Sequence, residues 1–253
     1  TLAFNGTVTN YAQSGMVLWG DSTNNVIGGT TPAERNVFSG NNHYGLEFAA
    51  PGVVNNVARG NYFGVSSTGS SALPNKSGGV SYWGAGPGNV VGGTAPGAGN
   101  VLSGNLGHGV YVGNFTTGAI IQGNNIGMNA GRTASLGNAW EGVFFDQSSN
   151  GLVGGTAPGA GNTIVGSGLA GVAVVGGTGN AVLGNSSSGN GGMGVDLDGW
   201  GPTSNDTLDP DSGGNNLQNK PVVTKAVTTG NLVEVTGSLN STANSYFRVE
   251  LFA

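Results

Sequence analysis

The sequence predicts an all-β fold, a right-handed parallel β-helix of about seven stacked three-strand coils. Three observations carry this: a long internal repeat, a short apolar triplet recurring after glycine, and an unusual abundance of glycine. The block Asn89-Val-Val-Gly-Gly-Thr-Ala-Pro-Gly-Ala-Gly-Asn100 is echoed by Asn25-Val-Ile-Gly-Gly-Thr-Thr-Pro and by Gly151-Leu-Val-Gly-Gly-Thr-Ala-Pro-Gly-Ala-Gly-Asn162. Thr30, Thr94 and Thr156 are thus spaced by 64 and 62 residues. Within that period the triplet follows Gly15, Gly45, Gly79, Gly109, Gly142, Gly171 and Gly194, at intervals of 30, 34, 30, 33, 29 and 23 residues. One long period therefore holds two coils, as expected of a solenoid. Glycine occupies 52 of 253 positions, against a usual share of about 7%, without the strict third-residue spacing of collagen.

Each coil reads as three short strands, for example Asn89-Val-Val, Asn100-Val-Leu-Ser and Gly109-Val-Tyr-Val, with apolar and polar residues alternating. Strands this short cannot bury an apolar face alone, so coils must stack and place Val90, Val101, Val110 and their equivalents in one interior. At ~4.8 Å per coil the stack is roughly 34 Å long. The asparagines opening strands (Asn25, Asn36, Asn56, Asn89, Asn100, Asn162, Asn180) suit turns and inter-coil ladders. Gly40, Gly60, Gly104, Gly123 and Gly184, each followed by Asn, suit corners needing positive φ. After Pro221 the pattern lengthens: 222–226, 232–238 and 246–252 read as alternating strands around a Thr229-Gly230-Asn231 turn. We divide the chain into a solenoid, 1–220, and a C-terminal β segment, 221–253, that caps the last coil's open edge or begins a β-sandwich.

Composition narrows the functions. There is no cysteine, and 7 basic against 12 acidic residues give a net charge of −5. That balance predicts neither a nucleic-acid nor an anionic-membrane partner, and no apolar run approaches a membrane span. No signal peptide is read, and Thr1 to Asn10 already look like mature β-rich protein, so the chain reads as a processed or excised segment.

The run Asn-Val-x-Gly-Gly-Thr-Ala-Pro-Gly-Ala-Gly-Asn-Val-x-Ser-Gly-Asn, followed by Gly-Val-Tyr-Val, resembles the parallel β-helix repeat of secreted bacterial proteins in the pectin-lyase-like superfamily, over about Gly15 to Pro221. The resemblance implies secretion or cell-surface display and a polysaccharide or cell-surface glycan partner. That superfamily includes lyases, hydrolases, epimerases and adhesins, so the resemblance speaks to fold rather than activity.

Alternation places one outer face of the strand after each repeated glycine. Its outward pairs are Val17 and Trp19, Glu47 and Ala49, Ser81 and Trp83, Tyr111 and Gly113, Phe144 and Asp146, Ala173 and Val175, Asp196 and Asp198. Trp19 and Trp83 fall two coils apart, roughly 10 Å, across small Ala49. With Tyr111, Phe144 and Glu47 they form the candidate substrate-binding set, suited to sugar rings stacking on aromatic faces. The bland alternative is that the inserts at 66–77 or 129–141 fold over these rings and bury them.

Asp146, Asp196 and Asp198 are the candidate catalytic carboxylates, since glycoside hydrolysis commonly uses two carboxyls ~5 to 10 Å apart. The segments typical of β-helix polygalacturonases, Asn-Thr-Asp and Gly-His-Gly, are not matched as a set, and His108 falls at a turn where the earlier coil has Tyr44. Arg35, Arg59, Lys76 and Arg132 are scattered and predict no cationic cluster for a lyase. Asp206, Asp209 and Asp211, close to Asp196 and Asp198, suit a structural Ca²⁺, an exposed acidic loop or, less readily, catalysis. With only His43 and His108 available, zinc is not expected. The reading is a non-catalytic secreted or surface module with a glycan-binding or structural role, with a glycoside hydrolase as the alternative. Ice binding would need ranks of outward threonine, which these pairs lack.

Overall fold

A computed structural model describes residues 7–8, 13–199 and 201–250. The chain winds as a parallel β-solenoid: two seven-stranded sheets and one six-stranded sheet run along it, giving six complete coils and a partial seventh. The first sheet runs from Thr7–Val8 through Tyr62–Phe63 and Val101–Leu102 to Ser186–Ser188. The second comprises Met16–Trp19, Tyr44–Ala49, Gly78–Trp83, His108–Gly113, Val143–Asp146, Val172–Val175 and Val195–Leu197. The third runs from Val26–Gly28 to Ala181–Leu183.

The interior is a set of aliphatic and aromatic columns. Phe38, Phe63, Leu102, Ile126 and Ile164 line the first sheet; Leu46, Val80, Val110, Val143 and Val172 line the second; Ile27, Ala58, Val91, Ile121 and Val153 line the third. Phe38 and Phe63 stack with centroids 5.2 Å apart. Val110 is inward as expected, but Val90 and Val101 are not: Val91 and Leu102 occupy the interior instead. The reason is the residue before each. Asn89 and Asn100 turn their amides into the buried corner, so alternation sends the next side chain outward. Val101 then joins Val37, Tyr62 and Val65 in a second small core on the outside of the first sheet, covered by Ala130 and Leu136 of the 129–141 insert.

The corners are held by asparagine ladders. Asn36, Asn61, Asn100, Asn124, Asn162 and Asn185 stack between the third and first sheets. In each step Oδ1 of the next asparagine accepts the backbone N–H and the Nδ2 of the one before, as Asn124 does from Asn100 at 3.0 Å each. Asn25, Asn56 and Asn89 form a second ladder. A third, absent from the sequence reading, joins Asn41, Asn75, Asn105 and Asn138. Gly40, Gly60, Gly104, Gly123 and Gly184 before several of these residues adopt φ of 62° to 74°.

The long period has a structural cause. Between the third and first sheets the turn is long in alternate coils, spanning Gly29 to Arg35, Gly93 to Gly99 and Gly155 to Gly161, and short in the coils between, as at Gly60 and Gly123. Long turns fold over the short ones: Gly60 donates to Ala98 O and Gly123 to Ala160 O, both at 2.9 Å. They also touch one another, and a Cβ on Gly97, φ 79°, would stand 2.1 Å from Thr30 O.

Beyond the coils, Val222–Thr229 and Leu232–Ser238 pair as an antiparallel hairpin. The strand expected at 246–252 is not formed over 246–250, and 251–252 lie outside the described residues.

Removing one ladder rung tests this account. Asn100 accepts from Asn61 and donates to Ala58 O and Asn124 Oδ1, so Asn100→Ala strands several buried groups and is expected to cost about 3 kcal/mol. Urea unfolding at unchanged m-value measures it, and a loss under ~1 kcal/mol would sink the ladder as a stabilising element.

Candidate functional site

The outward column of the second sheet follows the expected register: Val17 pairs with Glu47, Glu47 with Ser81, Ser81 with Tyr111, Tyr111 with Phe144, Phe144 with Ala173, and Ala173 with Asp196. Ala49 lies between Trp19 and Trp83, also as expected. Outward is not uniformly exposed, however. Ser81 and Ala173 are fully covered by larger neighbours, and Asp196 is only 6% exposed.

Two apolar ridges bound this face. Along one edge Trp19 and Trp83 are 70% and 49% exposed and Phe115, in the turn after the His108–Gly113 strand, is 74% exposed. All three line one depression of about 550 Å³ with Pro51 and Pro87. Phe115 has φ 60° and Asn114 φ 54°, an uncommon backbone for an aromatic residue, and this turn sets the ring outside. Periodicity arguments could not find Phe115, because it lies in a turn. Along the other edge Leu106, Trp140 and Leu169 are exposed, aligned by backbone bonds from Trp140 N–H to Gly107 O and from Leu169 N–H to Trp140 O. The inserts do not bury the tryptophans. They stack on each other, Ala130 N–H to Gly69 O at 2.9 Å, and cover the first sheet.

Between the ridges lies a floor of rings and titratable groups. Tyr111 stacks with Trp83 at 6.1 Å and tilts against Phe144 at 6.0 Å, and its hydroxyl donates to Asp146 Oδ2 at 2.9 Å. His108, nearly buried, lies parallel to Phe144 at 4.9 Å and edge-on to Trp140. Its Nδ1 stands 2.9 Å from Glu141 Oε2, close enough for an ion pair but not aligned as a hydrogen bond. Farther along, Glu47 Oε1 takes the Ser14 hydroxyl and lies 2.9 Å from His43 Nδ1. Ser14 and Glu47 approach the same imidazole nitrogen, which rules this trio out as a nucleophile relay, since a base must face its nucleophile and its orienting acid with different nitrogens.

Burial raises the Tyr111 phenol well above its ordinary range, and the Asp146 carboxylate it donates to raises it further. Tyr44 is raised by burial and then by Glu47, and Tyr82 by burial. These phenols stay protonated donors.

The expected carboxylate trio is not presented as one set. Asp146 faces this floor. Asp196 is covered, with Oδ2 accepting from Gly201 N–H at 3.0 Å. Asp198 follows the end of its strand at φ 89°, where strand alternation no longer fixes its direction. Asp206, Asp209 and Asp211 do converge, with ligand atoms within 4.8 Å of one another. Both oxygens of Asp209 already accept protein donors, from Asn219 N–H and from Gln218 and Ser241 side chains.

No family model, no curated protein and no solved structure matches this chain.

With folded-state values above the ordinary 10.0, Tyr44, Tyr82 and Tyr111 contribute stability that is present below pH 10 and is lost as pH rises past it. Alkaline titration should show three of the six tyrosines ionising only with unfolding. Smooth ionisation of all six near pH 10 in folded protein would contradict the burial described.

Proposed function

We propose that the chain is a non-catalytic, secreted or cell-surface β-helix module of the pectin-lyase-like kind that binds polysaccharide. The supporting observation is the exposed trio Trp19, Trp83 and Phe115 on one depression. Large rings held apart on a rigid sheet edge offer contact area with little side-chain entropy to lose, and contiguous exposed apolar surface of this kind marks binding sites. Rings spaced by two coils, roughly 10 Å, match an extended chain of sugars better than a compact ligand. On the same sheet, Asp146, held by Tyr111 in contact with Trp83, can accept a sugar hydroxyl.

One observation favours hydrolysis as a second reading. Glu141 and Asp146 are tied to His108 and Tyr111, whose rings are 5.5 Å apart, so two carboxylates border one patch of floor.

Affinity electrophoresis or calorimetry against a panel of neutral polysaccharides tests the binding. Trp83→Ala should weaken it roughly tenfold, the equivalent of ~1.4 kcal/mol, and Phe115→Ala should act in the same direction. Unchanged affinity in both variants would remove the trough as the site. A parallel screen for released reducing ends separates the readings: turnover lost in Asp146→Asn would replace the module with a hydrolase.

A further inference from the structure

A second depression lies at the corner between the third and first sheets, where the long turns fold over the short ones. It has a volume of about 640 Å³, and its lining includes Arg35 and Arg132 but no acidic residue. In a chain with 7 basic and 12 acidic residues, this local excess of positive charge is produced by the fold, which lines one groove with both arginines.

Arg35 is held in place. Its guanidinium carbon lies 4.1 Å from the Tyr62 ring centroid, and its Nε donates to Gly60 O at 3.2 Å. Its two terminal nitrogens have no hydrogen-bond acceptor among the described residues. The neighbouring Glu34 is turned back, Oε2 accepting from Thr30 and Thr31 N–H at 3.1 Å each. Arg132 reaches the site from the 129–141 insert, which Ala130 and Leu136 anchor on the first sheet. Its one side-chain bond among the described residues is a long one, 3.5 Å from Nη1 to Thr163 Oγ1. Neither arginine forms an ion pair among the described residues.

Asn125 lines the same depression. It is 4% exposed, and its Nδ2 donates to Asn129 O at 2.9 Å, which fixes the amide orientation. Its Oδ1 is covered, so a ligand in the groove meets the arginines. Tyr62, Val101, Asn125 and Thr163 occupy successive coils, so the residues that anchor Arg35 and Arg132 lie three coil spacings, ~14 Å, apart, which suits a chain carrying repeated oxyanions.

We infer that this corner is a second binding site, for an acidic oligosaccharide laid along the groove: Arg35 and Arg132 each take a carboxylate, sulfate or phosphate group of the chain. Guanidinium groups pair with such oxyanions in charge-assisted, often bidentate bonds. The site lies at a different corner of the coil from the aromatic trough and shares no lining residue with it.

The test uses the full chain and calorimetry at low and moderate salt with five probes: a uronate oligosaccharide, a sulfated one, a phosphorylated one, a neutral one and inorganic phosphate. At least one charged oligosaccharide should bind more tightly than the neutral one, with affinity falling as salt rises. Arg132→Ala and Arg35→Lys should each weaken that binding by roughly tenfold, while Trp83→Ala leaves it unchanged. The charged probe that binds identifies the oxyanion. Equal binding of charged and neutral sugars, binding of inorganic phosphate alone, or charged binding indifferent to both arginine variants would overturn the proposal. Loss of charged binding in Trp83→Ala alone would assign it to the trough instead. Arg132 is exposed, so its variant should fold even if Arg35→Lys does not, and circular dichroism checks both.

Discussion

Everything in this molecule depends on satisfying the backbone at corners that are buried. A solenoid turns its chain sharply three times per coil, and each turn leaves peptide groups that no strand can pair. Here asparagine does the pairing. Asn61, Asn100, Asn124 and Asn162 are essentially inaccessible, and each uses Oδ1 to take two donors from the preceding rung and Nδ2 to reach a carbonyl as well as the next rung. Because an unpaired buried amide costs roughly 1 to 3 kcal/mol, a rung is tolerated only when its neighbours are present. The ladders thereby lock coil to coil and hold the register on which each outer face depends.

That register gives the two proposed sites their different characters. On the second sheet Tyr111 and Phe144 stand directly above one another and Trp83, paired with Gly113, meets Tyr111 diagonally, so a few large residues become a row of rings. At the corner between the third and first sheets, turns of unequal length alternate, and the chain forms a recess rather than a row. The first arrangement supplies flat apolar contact, the second a cationic groove. Both are built on a scaffold whose interior is closed from Ile27 to Val174.

The titratable groups on the second sheet follow a similar logic. Tyr111 holds Asp146, and Glu141 lies against His108, itself stacked on Phe144. Each carboxylate has an aromatic or imidazole partner, which keeps the floor polar enough to meet hydroxyls while the ridges remain apolar. The same pairing leaves Asp196 outside the set, since the chain beyond its strand returns to cover it.

The sequence by itself determined the coil. Repeated glycines, strand-length apolar triplets and strand-opening asparagines specify local turns and alternation, and local rules are sufficient where every contact is with the equivalent residue of the next coil. They placed the outward column of the second sheet and the two exposed tryptophans correctly. They do not give the inward side of Val91 and Leu102, which is set by Asn89 and Asn100 pointing into the corner. Phe115 was invisible since turn residues carry no periodic signal. Arg35 and Arg132 look scattered in the sequence, because their sharing one groove depends on how long turns lie over short ones and on an insert packing across Tyr62 and Val101. Those are contacts between elements that do not repeat, and only the tertiary structure, where their volumes must fit together, decides them.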